Sequence, residues 1–128
     1  MNAELVGSQD KLMRVRNEYL DLMQAFLTGS IYRDFAQAPF GSNLFDSHRR
    51  EHGLDWPSTA ETMIGVKRLA NLRALTESVI ADNVPGDLIE TGVWRGGACI
   101  FMRAILYATS VRDKSVWVAD SFEGLPAG

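Results

Sequence analysis

Two strand-end acids and a run of glycines hold the chemistry of this sequence. Asp87-Leu88-Ile89-Glu90-Thr91-Gly92-Val93-Trp94-Arg95-Gly96-Gly97 reads as a short buried strand ending in an acid, a glycine turn and the start of a helix. Further on, Val116-Trp117-Val118-Ala119 reads as a second strand, with Asp120 at its carboxyl end. Backbone N–H groups at a helix N-terminus, beside strand-end carboxylates, build a nucleotide-like pocket in a doubly wound α/β sheet.

The spacing narrows the ligand. A dinucleotide fingerprint, G-x-G-x-x-G, needs a middle glycine where the pyrophosphate touches the backbone. Trp94 stands at that position, and the pattern here is E-x-G-x-x-x-G-G. A P-loop is excluded because no Gly-Lys-Ser/Thr follows the glycines. S-adenosylmethionine carries no phosphate and fits better. Glu90 can meet its cationic end, the backbone from Gly92 to Arg95 can donate to its carboxylate, and Asp120 can accept from both ribose hydroxyls. A nicotinamide-dependent oxidoreductase and a ligand-free glycine turn stay open as alternatives. NAD binding without S-adenosylmethionine binding would favour the first.

A second pattern misleads. His48-Arg49-Arg50-Glu51-His52 matches the H-x-x-E-H of one zinc protease class. That chemistry needs a stable, largely apolar helix and a third ligand. Asp46, Ser47, Gly53 and Asp55 make the flanks look like surface, and the sequence has no other histidine. A solvated turn is expected. No residue stands out as a general base.

Four segments must position these groups. A helix is expected over Asp10 to Leu27, with Leu12, Tyr19, Met23 and Phe26 on one face, widened by Leu20 and Leu27, and Gly29 as its stop. Ser30 to Pro57 lacks a period yet holds Ile31, Tyr32, Phe35, Phe40, Leu44, Phe45 and Trp56. It reads as a loop folding over something, or as a connection whose aromatics pack on the core. Ser58-Thr59-Ala60-Glu61 matches a capping box and should open the next helix. Val84-Pro85-Gly86 ends that helix and turns the chain into the first strand. Ala98 to Ala108 is apolar nearly all round and must be covered on most sides.

Composition bounds the class. The 128 residues suit one modest domain, and 46% hydrophobic with 23% charged residues is ordinary for a globular chain. A net charge of −3 gives no electrostatic case for nucleic acid. No apolar run reaches about 18 residues, so no membrane partner is expected. The single cysteine, Cys99, forbids an intrachain disulfide and fits a cytoplasmic location, with the thiol as a small core residue.

The motifs, taken in order, resemble a known family. Asp55-Trp56-Pro57, Thr62-Met63-Ile64-Gly65, Arg68-Leu69, Asn71-Leu72, Val84 through Gly97, and Val118-Ala119-Asp120-Ser121-Phe122-Glu123-Gly124-Leu125-Pro126 are similar to the macrocin and mycinamicin O-methyltransferases of antibiotic biosynthesis. The likeness runs from about Tyr19 to Pro126. It implies an α/β fold: an N-terminal helical cover or lid over residues 1–84, then the first β–α–β unit of a Rossmann-like class I S-adenosylmethionine-dependent methyltransferase domain over residues 85–128. The sheet of that domain is incomplete within the chain. The implied reaction is methylation of a sugar hydroxyl on a macrolide-like natural product, a glycosylated small molecule, with magnesium, in a homo-oligomer.

The implied cofactor-binding residues fall in three groups. Thr62, Met63 and Ile64 form part of the cover. Glu90, Thr91, Gly92, Val93, Trp94, Arg95 and Gly96 form the methionine-end pocket. Asp120, Ser121, Phe122, Glu123 and Gly124 form the ribose side. The magnesium ligands and the base are expected beyond Gly128, since a complete doubly wound domain is longer. Two strands cannot bury both faces of a parallel sheet. The 128 residues alone are therefore expected to lack turnover and to self-associate or need another polypeptide. The alternative is a non-catalytic fragment or oligomerisation module.

Overall fold

The apolar helix after the glycine turn organises the chain. A computed structural model describes residues 3–39 and 43–124. Its elements run α1 (Ala3–Leu27), α2 (Ser47–His52), α3 (Gly65–Ala81), β1 (Leu88–Thr91), α4 (Gly97–Ala108) and β2 (Val116–Ala119). Phe40, Leu125 and Pro126 lie outside the described residues. β1 and β2 pair in parallel, Leu88 against Val116 through Thr91 against Ala119, so both strands end level. α4 is the crossover between them, as parallel pairing requires.

Two polar clamps pin the strands at their amino ends. The Asp87 carboxylate accepts the Ser115 N–H at 2.9 Å and the Trp117 indole N–H at 2.8 Å. Lys114 Nζ donates to the carbonyls of Val84 and Gly86, each at 2.6 Å.

α4 is covered on two sides, as its composition demands. Phe101, Ala104 and Ile105 pack with Leu20 and Leu27 of α1 and Leu69 of α3. On the sheet side Cys99 and Met102 join Val93, Leu88 and Val116. Each large apolar side chain so buried stabilises by about 1.5–3 kcal/mol. The helical region and the strand unit thus share one core. On the sheet face away from α4, Ile89 and Trp117 stand opposite one another in register, both about three-fifths exposed.

Local signals fail in three places. α1 starts at Ala3 rather than Asp10, and its buried seam is Leu20 and Leu27 with Met23 alongside. Leu12, Tyr19 and Phe26 of the expected apolar face are exposed, because the core meets only one flank of the helix's second half. The capping box does not open a helix, and α3 begins at Gly65. Its amides are engaged by distant acceptors. Ser58 N–H donates to Phe35 O, Thr59 and Ala60 N–H to Asp34 Oδ2, and Glu61 and Thr62 N–H to Leu27 O.

The third failure is the expected solvated turn around His48, which is the short helix α2. Asp46 caps it through the Arg49 N–H at 3.0 Å, and Gly53, at φ 66°, closes it in the left-handed region. Arg50 of that helix and Asp55 beyond it are fully buried against each other, not at the surface.

Candidate functional site

Both strands end at the same edge, so the glycine turn and Asp120 meet there. Gly92 N–H donates to Ala119 O at 3.0 Å, which carries the sheet pairing one step past β1. Val93 N–H then donates to Asp120 Oδ2 at 2.6 Å, and Phe122 N–H to Asp120 Oδ1 at 3.0 Å. These bonds hold the Asp120 carboxyl below its ordinary range, Val93 contributing most and Phe122 next. The result is an exposed, ionised carboxylate whose Oδ2 accepts the Val93 N–H and whose Oδ1 accepts the Phe122 N–H, with the Ser121 and Trp94 amides adding smaller contributions.

The turn itself is left-handed at three points. Gly92 has φ 80° and Gly96 φ 87°, and Trp94 adopts φ 53°, an uncommon conformation for a side chain of that bulk. Space is open around the Cβ position of Gly92, and at Gly96 the nearest atom is Val93 Cγ1 at 4.0 Å. Gly97 is different. A Cβ there would lie 2.5 Å from Glu61 O and 2.7 Å from Thr62 Cβ. The crowding glycine therefore faces the cover segment, neither the strand nor the pocket.

Glu90 points to the α4 face of the sheet. Its Oε2 accepts the Cys99 thiol at 2.9 Å, leaving Oε1 for a cation. Burial first, and the Glu90 carboxylate second, push the Cys99 thiol up to about 12. Cys99 is therefore a neutral donor that orients Glu90, in keeping with its expected core role. Thr91 is exposed beside the turn.

The cover group reaches this edge through the backbone. Gly97 N–H donates to Glu61 O at 2.9 Å, bringing Thr62 against the helix start. Thr62 is buried, Met63 is half-buried, and Ile64 packs on the main core. Arg95 reaches across the same seam, donating from one guanidinium nitrogen to Ala60 O at 3.0 Å and Pro57 O at 3.4 Å. Its guanidinium also lies over the Trp94 ring at 4.2 Å. Ser121, Phe122, Glu123 and Gly124 follow Asp120 along the open edge, with Phe122 about three-quarters exposed at φ 57°.

No metal centre forms among the described residues, where no three His, Cys, Asp or Glu side chains gather closely enough. The histidine pattern is otherwise engaged: the His48 and His52 rings lie tilted with centroids 4.3 Å apart, and His52 contacts His48 O at 2.8 Å and Lys67 Nζ at 2.7 Å. A cleft of about 610 Å³ runs along α4 and β2, past Ile100, Arg103, Arg112, Lys114 and Val118. It is lined by neither strand-end acid.

The sequence missed the support behind the cover. Buried Arg50 binds Asp55 with Nε at 3.0 Å and donates to Thr28 O and Asp34 O at 2.7 and 2.8 Å. Asp34 in turn holds Thr59 and Ala60. One signal existed: an arginine and an aspartate five apart across a glycine, in a stretch rich in aromatics.

The chain thus joins two parallel strands that end level, Glu90 within the first and Asp120 just past the second, with a left-handed glycine turn after β1 and a helical segment packed beside it. The comparisons with known proteins specify the family. Residues 33–128 match the family described as macrocin-O-methyltransferase (TylF), and the chain belongs to that family. It is 58% identical over 111 residues to demethyldecarbamoylnovobiocin O-methyltransferase of Streptomyces niveus, covering 84% of this chain and 42% of that protein. It is 53% identical to mycinamicin III 3''-O-methyltransferase of Micromonospora griseorubida, covering 84% of this chain and 43% of the relative. The solved structure of the O-methyltransferase NovP superposes with a TM-score of 0.80 at 56% identity, over 87% of this chain and 44% of that one. The chain thus spans less than half the length of these relatives. None of the helices described is long and apolar enough to cross a membrane.

Proposed function

We propose that this chain supplies the donor-binding half of an S-adenosylmethionine-dependent O-methyltransferase acting on a sugar hydroxyl of a glycosylated natural product. One observation carries the reading: the exposed Asp120 carboxylate is held ionised against the glycine turn by the Val93 and Phe122 amides, at the ends of two level strands. The relatives' names, O-methyltransferases of novobiocin-type and mycinamicin-type compounds, support the acceptor class. The strand–helix–strand unit is read as the start of a Rossmann-like sheet over residues 85–128, with residues 1–84 as its cover.

Bound S-adenosylmethionine would supply an electrophilic methyl on its sulfonium. Asp120 would hold the ribose hydroxyls, with charge assistance strengthening the bonds. Glu90, fixed by the Cys99 thiol, would hold the ammonium. The open space at Gly92 would let the donor approach the backbone, beside Thr91 and Trp94. Thr62, Met63 and Ile64 bound the pocket from the cover, and Ser121 to Gly124 from the ribose side. This orientation removes entropy from the barrier before the acceptor oxygen attacks. The magnesium implied by the family resemblance finds no donor set among the described residues.

The exposed apolar stripe Leu12, Val15, Tyr19, Leu22 and Phe26 of α1 recurs every three and four residues and supports a homo-oligomer. A cytoplasmic location and the absence of nucleic-acid partners complete the reading. The test is transfer of a labelled methyl from S-adenosylmethionine to glycosylated acceptors by the intact protein. Label in the acceptor, with equivalent S-adenosylhomocysteine, is expected. Binding of NAD in place of the donor would overturn the proposal.

A further inference from the structure

The cover segment from Pro57 to Thr62 is gripped from both sides. Behind it, Asp34 accepts the Thr59 and Ala60 amides at 2.9 Å and the Thr59 hydroxyl at 3.0 Å, and buried Arg50 donates to Asp34 O. Leu27 O accepts the Glu61 and Thr62 amides at 3.1 Å. In front, only two contributors from the glycine turn reach it among the hydrogen bonds described: the Gly97 amide and the Arg95 guanidinium.

The two front contacts differ in kind. Gly97 is a single backbone bond at a helix start. Arg95 is a side chain that spans Pro57 O and Ala60 O while lying over the Trp94 ring. The guanidinium does both at once, one nitrogen donating to the two carbonyls while the group lies over the ring. Arg95 also lies between the left-handed residues Trp94 and Gly96, so its bonds reach to the cover from the most constrained part of the turn.

We propose that Arg95 is a positioning residue that latches the Pro57–Thr62 wall onto the glycine turn, so that the wall stands in place before any donor arrives. This refines the expectation of a lid over the region: these residues are a built wall with one side-chain latch. The proposal rests on the donor-binding reading above, and Arg95 acts in it through Ala60 and Pro57, not by touching the reacting atoms.

The test compares Arg95→Met and Arg95→Lys with the parent in the intact protein. Amide exchange of Gly97, Glu61 and Thr62 is read without ligand, and affinity for S-adenosylhomocysteine is read by calorimetry. Losing a charge-assisted bond pair should speed exchange at these amides about tenfold in Arg95→Met, with Phe101 and Ile105 of α4 unchanged. Affinity should fall about tenfold in parallel, and Arg95→Lys should recover part of both. Unchanged exchange with weakened affinity would overturn the latch and make Arg95 a direct ligand contact. Faster exchange with unchanged affinity would overturn its positioning role. If the parent itself fails to bind S-adenosylhomocysteine, the donor reading falls, while the exchange result still decides whether the latch exists.

Discussion

Replacing Gly97 by alanine measures how closely the cover approaches the glycine turn. The added Cβ would stand 2.5 Å from Glu61 O, 2.7 Å from Glu61 C and 2.7 Å from Thr62 Cβ, with backbone as the main obstacle. Overpacking of this kind costs about 1–3 kcal/mol. Displacing Glu61 also weakens the Gly97 N–H bond to its carbonyl, about 1 kcal/mol more. Against this, alanine in a helix gains about 1 kcal/mol over glycine. The net is a loss of about 1–3 kcal/mol. Two other glycines calibrate the scale. Gly7 in α1 meets nothing within 4 Å, so Gly7→Ala should stabilise by about 1 kcal/mol. Gly96 has room but φ 87°, so Gly96→Ala should cost about 1 kcal/mol from backbone strain alone. Urea unfolding reads all three as midpoint shifts at constant slope. A Gly97→Ala variant as stable as the parent would refute the close approach.

Arg50→Met removes one half of a fully buried pair and strands Asp55, which should cost about 3–5 kcal/mol by the same unfolding assay. A cost below 1 kcal/mol would mean that water reaches Asp55. Cys99, with its thiol raised to about 12 by burial and by Glu90, should resist iodoacetamide at neutral pH until the protein is denatured. Rapid labelling of the native protein would contradict the Cys99–Glu90 bond. The Asp120 carboxyl is depressed in the fold by the Val93 and Phe122 amides. Its contribution is therefore complete above the unfolded value of about 4 and lost as pH falls through the lower folded value. An NMR titration of its carboxyl carbon should show a midpoint below 4, and one at or above it would refute the turn geometry.

The strands, the helix between them and the strand-end acids were legible because their signals are local. Val116–Ala119 and Leu88–Thr91 are short apolar runs bounded by turn residues, and Gly97–Ala108 is too apolar to lie anywhere but inside. The cover was not legible in the same way. Ser58 to Thr62 carries a helix-start pattern, but Asp34, Phe35 and Leu27 claim its amides from far along the chain. Arg50 and Asp55 look like surface charges and become buried because each finds the other, with the Thr28 and Asp34 carbonyls taking further Arg50 N–H groups. Gly97 reads as a turn residue, and its true neighbour, Glu61, is close only in the folded chain. On α1 the best-spaced apolar stripe stays exposed, because periodicity shows a face without showing what meets it. Family resemblance alone singles out Thr62, Met63 and Ile64, for without it Met63 and Ile64 read as core.

Calorimetric titration of S-adenosylhomocysteine into the intact protein and its Asp120→Ala variant tests the donor site most directly. Losing the charge-assisted bonds to the ribose should weaken binding by about 1–3 kcal/mol, roughly five- to 150-fold, with the fold unchanged by circular dichroism. Equal affinity in the two proteins would show that the donor does not lie across the ends of β1 and β2, and the site described here would be wrong.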